Sequence, residues 1–188
     1  TVLATNSISG NINVYEVGTD NDLIVLGATN STATAGSINI QTNDGTLTVN
    51  GAVSTAGPAS TITLIANDVN TSNDEDLNIN AAVTAVNGTV TLTSVTNDVN
   101  FAAAGDVTTT SGYVDVNASG VAGAGIIFMA DGAMINSGDD LITMDATGNI
   151  TIGGLKTTNA TTSAIVIATT AGGVIDGGPV NAWFAQEA

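Results

Sequence analysis

Glycine, then a short polar–apolar alternation, then a small-residue corner: this unit recurs along the chain and constrains its fold more than any other feature. It reads GTLTVNGAV at 45–53, GTVTLTSVT at 88–96 and GNITIGGL at 148–155. Related alternations are NINV (11–14), LIVL (23–26), SINI (37–40), TITL (61–64), DLNI (76–79), YVDV (113–116), IIFM (126–129) and AIVI (164–167). A period of two marks a strand with one buried face. In the first unit Leu47 and Val49 are therefore expected to point inward, and Thr46 and Thr48 outward. No segment carries a capped 3.6-residue apolar stripe, so almost no helix is expected.

The spacing of these strands is itself regular. Ile38 to Leu47 is nine residues and Leu47 to Ile62 is fifteen, and Leu141, Ile150 and Ile165 repeat both intervals at an offset of 103. Residues 9–72 are thus echoed at 111–175, within a single segment spanning 1–188. Nine plus fifteen gives a 24-residue coil that cannot bury its apolar edge alone, so neighbouring coils must stack on it. The expected fold is all-β, a parallel β-helix (β-solenoid) of roughly 20–25 residues per coil, right-handed by the crossover rule. An antiparallel β-sandwich is the alternative. It gives no reason for the long internal echo.

Composition narrows the function classes. Aromatics are 3% of the 188 residues, so Ile, Val, Leu and Ala must fill the core. The chain has 17 acidic residues, one basic residue (Lys156) and no His, for a net charge of −16. Nucleic-acid binding requires cations that displace phosphate counterions, and attraction to anionic membranes requires the same. Neither is expected. No apolar run is long enough to span a bilayer. With no cysteine, disulfides and thiolate metal sites are excluded.

The stretches GTVTLTSVTNDVNFAAAGDVTTTSGYVDV (88–116) and GNITIGGLKTTNATTSAIVIATTAGGVIDGG (148–178) resemble the tandem repeats of giant bacterial surface proteins of the filamentous-haemagglutinin-like, adhesin-type class. The resemblance is one of repeat style, from about residue 36 onward. It implies a right-handed parallel β-helix, export to the bacterial cell surface, and a non-enzymatic role in adhesion or as a stalk. Surface glycans or other cells would be the partners. No catalytic motif comes with it.

Candidate chemistry lies in the turns. The densest acidic run, SNDEDLN at 72–78, places Asp74, Glu75 and Asp76 ahead of a strand, and GTDNDL at 18–23 adds Asp20 and Asp22. Such hard oxygen ligands suit calcium, which makes these residues candidates for a structural calcium site, with plain turn formation the alternative and no cofactor required. Asp139 and Asp140 could in principle supply the acid and base of a glycosidase. Without His or Arg to surround a substrate, a solvated turn is the expectation, and the chain is read as no enzyme. Trp183 and Phe184 are expected to cap the last coil. Strand edges at the ends of a solenoid template further strands, so head-to-tail association, as in a self-assembling filament, is also expected.

Overall fold

The computed structural model describes residues 1–32, 34–69, 75–120 and 124–178. Every ladder between its strands is parallel, and the described residues contain no helix. The chain is a β-solenoid of about seven turns. This excludes the antiparallel sandwich. Among the described residues one antiparallel bridge, Ser111 to Gly138, lies outside the named strands.

Each full coil carries three strands. One face is a seven-stranded sheet of β2 (Ile12–Tyr15), β4 (Ile38–Gln41), β7 (Ile62–Ala66), β10 (Val90–Ser94), β13 (Val114–Ala118), β16 (Ile142–Ala146) and β19 (Ile165–Thr169). The second face runs through β5 (Leu47–Val49), β8 (Leu77–Ile79), β11 (Val99–Phe101), β14 (Ile127–Met129), β17 (Ile150–Ile152) and β20 (Val174–Asp176). The third runs through β6 (Val53–Pro58), β9 (Val83–Asn87), β12 (Val107–Thr109), β15 (Met134–Asn136) and β18 (Gly154–Lys156). Near the start, β3 (Leu23–Asn30) serves both of these faces, pairing with β5 through its first half and β6 through its second; β1 (Val2–Asn6) pairs with it from the other side.

Register is set by the alternation. On the first face Ile12, Ile38, Ile62, Val90, Val114, Ile142 and Ile165 form one inward column. The outward partners Asn13, Asn39, Thr63, Thr91, Asp115 and Thr143 form a polar ladder beside it. Leu47 and Val49 are fully buried, as the alternation requires. Burying each such side chain stabilises the fold by about 1.5–3 kcal/mol before conformational entropy is counted.

Three details depart from the sequence reading. The coil is not uniform: Ile38 pairs with Ile62 at an offset of 24, whereas Leu47 pairs with Leu77 at 30 and Leu77 with Val99 at 22. Insertions at corners are tolerated because loop closure costs little per added residue. On the first face, moreover, Ile142 and not Leu141 occupies the inward column, one residue on from the 103-residue offset. The small-residue corners GAV (51–53) and AAV (81–83) also open strands, β6 and β9.

The glycines of GTLTVNGAV have a steric cause. Gly45 has φ of 152°, and a Cβ on it would collide with the backbone carbonyl of Asn21 in the preceding coil. Gly51 stands equally close to the carbonyl of Leu26. Glycine recurs where one coil's backbone passes over the next.

Candidate functional site

The corner between the first and second faces gathers most of the chemistry. Leaving β4, the chain passes Thr42, Asn43, Asp44 and Gly45 before entering β5. The buried Thr42 hydroxyl donates to the Gly45 carbonyl at 2.7 Å and closes the turn. Asp44, fully buried, accepts the backbone N–H of Asp20 at 3.3 Å on Oδ2 and that of Val69 at 3.1 Å on Oδ1. One carboxylate thereby joins the coil above to the coil below.

Carboxylate oxygens of Asp20, Asp44 and Glu75 lie within 4.8 Å of one another. Asp20 is exposed, whereas Asp44 and Glu75 are buried. Thr96 donates its hydroxyl to Glu75 Oε2 at 3.3 Å, and Ser94 donates to the Glu75 carbonyl at 2.8 Å. Asp20, Asp22, Gly45, Thr46 and Glu75 line an open cleft of about 460 Å³ here. An all-oxygen donor set of this kind is suited to calcium, not to zinc, which favours nitrogen and sulfur.

Beside this cluster runs a ladder from side chain to backbone. Asp22 accepts the Thr46 N–H at 3.1 Å, Thr46 Oγ1 accepts the Asp76 N–H at 3.2 Å, and Asp76 accepts the Asp98 N–H at 3.3 Å. Asp98 then accepts the Ile126 N–H at 2.9 Å. Each residue just before a second-face strand bonds the equivalent residue one coil on. Burial pushes the Asp98 carboxyl above the usual carboxylate range, and the Ile126 N–H pulls it partly back.

Of the sequence candidates, Glu75 and Asp20 enter the cluster, while Asp76 and Asp22 belong to the adjoining ladder. Asp74 lies outside the described residues, as do Trp183 and Phe184. Asp44 was not singled out from sequence. The coil length could have found it, since Asp20 plus 24 is Asp44. Asp139 and Asp140 sit in the turn before β16, where Asp140 Oδ1 accepts the N–H of Leu141 at 2.8 Å. Ser137 Oγ donates to the Asp140 carbonyl at 2.6 Å, so this stretch is engaged in holding its own turn.

No protein-family model matches the chain, and no curated protein or solved structure matches it either.

Proposed function

We propose that this chain is a structural and adhesive repeat region of an extracellular bacterial surface protein, without enzymatic activity. The observation that carries the reading is the unbroken in-register stack, which lines up outward Asn, Thr and Asp side chains from Asn13 to Thr143 along one face. Such a stack supplies length and stiffness, and repeats one polar surface at intervals of about 4.8 Å. Surface glycans or other cells are the partners such a face would meet. The test is to couple the purified chain to beads and measure capture on glycan arrays and whole cells. Binding that disappears when Asn39 and Asp115 are both changed to Lys supports the adhesive role; no binding to either target sinks it and leaves a plain stalk.

Calcium enters this proposal as a structural ligand at Asp20, Asp44 and Glu75, adding to a fold that does not require it. A second reading is a self-assembling filament subunit, because a parallel coil templates the next one through its strand edges. Light scattering across a salt series decides this one. Particles that grow as salt screens the net charge support head-to-tail pairing, and a monomer at every salt rejects it.

A further inference from the structure

A polar column runs inside the third face, and at one point in it two buried polar atoms lack a partner. The column descends through Asn6, Asn30, Thr55, Ala85 and Thr109, which are register partners from coil to coil. Asn30 is fully buried; its Nδ2 donates to the carbonyls of Gly10 at 2.9 Å and Ser37 at 3.3 Å. Its Oδ1 accepts nothing, and neither does the Oγ1 of Thr55, which is 2% exposed and stands next to it in the column.

Comparison with later coils shows why the Thr55 hydroxyl is stranded. Thr109 donates to the carbonyl three residues on, at Gly112, and Ser137, at the end of the next third-face strand, does the same to Asp140. In those coils the hydroxyl closes the corner. After Thr55 the strand instead continues to Pro58, with a register shift between them, and the turn follows at Ala59, whose φ is 55°. The hydroxyl therefore has no turn carbonyl to reach. Rotating the Asn30 amide would not help either, because it would set Oδ1 against the two carbonyls that Nδ2 now serves. Below Thr55 the column holds only the methyl group of Ala85.

We infer that this pair is a binding site for a single internal water molecule, which donates to Asn30 Oδ1 and bonds the Thr55 hydroxyl. Both protein atoms offer what water needs: an amide oxygen accepts only, and a hydroxyl does either. Two buried polar partners in register meet the lower limit for an ordered internal water. The site locks Asn30 between coils at the point where the third face departs from its usual corner.

Water–protein NOE spectroscopy on the ¹⁵N-labelled chain tests this through the Asn30 side-chain amide. The expected result is a cross-peak to a long-lived water in the wild type, retained in Thr55→Ser and lost in Thr55→Val. Alongside, Thr55→Val should lower the folding equilibrium constant about fivefold, as expected for a lost buried hydrogen bond. Absence of the cross-peak in the wild-type chain overturns the inference. So does a Thr55→Val variant that folds with a higher equilibrium constant, since removing a dry, unpaired hydroxyl stabilises.

Discussion

The same corner is built in two ways within this molecule. In the first coils it carries Asp20, Asp22, Asp44, Glu75, Asp76 and Asp98; in the last coils the equivalent stretches are Gly125 and Ile126, Gly148 and Asn149, and Gly172 and Gly173. The backbone task is the same in both. Asn149 Oδ1 accepts the Gly173 N–H at 2.9 Å, as Asp98 does for Ile126. An amide oxygen therefore closes the corner as well as a carboxylate does. At this rung of the ladder the backbone bond does not itself require a charge.

The largest test of this comparison concerns what the two halves share. Gly45→Ala should cost more than 3 kcal/mol in denaturant unfolding, because a Cβ there meets backbone and not a flexible side chain. A cost below 1 kcal/mol would mean that the early corner relaxes freely. Next, Asp44→Ala should cost about 2 kcal/mol through the loss of two accepted N–H bonds, and Asp44→Asn distinctly less. Equal losses in the two variants would show that the charge itself holds the early coils together, against the comparison.

A smaller effect separates the halves by metal. Millimolar calcium should raise the melting temperature by a few degrees relative to chelator, through preferential binding to the folded state. Asp20→Asn with Glu75→Gln should abolish that rise. Indifference to calcium in the parent chain would remove the metal from the proposal, and complete unfolding by chelator would show that it had been undervalued.

The smallest effect is in pH. The folded chain holds the Asp98 proton more tightly than the unfolded chain does, so this group's contribution is most favourable below the ordinary carboxylate range. That contribution declines as pH rises through the raised folded value. Asp98→Asn, which keeps an acceptor for Ile126, should flatten this decline and leave the neutral-pH stability higher by a few tenths of a kcal/mol after solvent screening. A stability profile from pH 4 to 7 that is unchanged by the substitution would contradict the assignment.

Much of the fold was legible because it rests on period-two alternation, which survives the variation in coil length. Leu47 and Val49, Val114 and Val116, and Ile165 and Ile167 all lie at inward positions of strands. The third face was not legible. Its strands place one large apolar residue inward, Val53 or Val83, and then the small or polar Ala85 or Thr55, so they read as corners. The site was half legible for a related reason. The acidic run at 72–78 is dense in sequence, but Asp20, Asp44 and Glu75 are brought together by stacking across coils of unequal length. Composition marks the loop, and only the register selects the residues.

Parallel pairing along the whole stack has a mechanical consequence. The bonds between coils lie along the long axis, so tension applied at the two ends pulls on them one rung at a time instead of shearing them all together. A coil of 24 residues, Ile38 to Ile62, would release roughly 80 Å of slack when it peels away. Because each coil touches only its neighbours, the remainder stays folded while one is drawn out. A tether built this way yields in instalments under load, spreading a sudden pull over a long extension before the chain is taut.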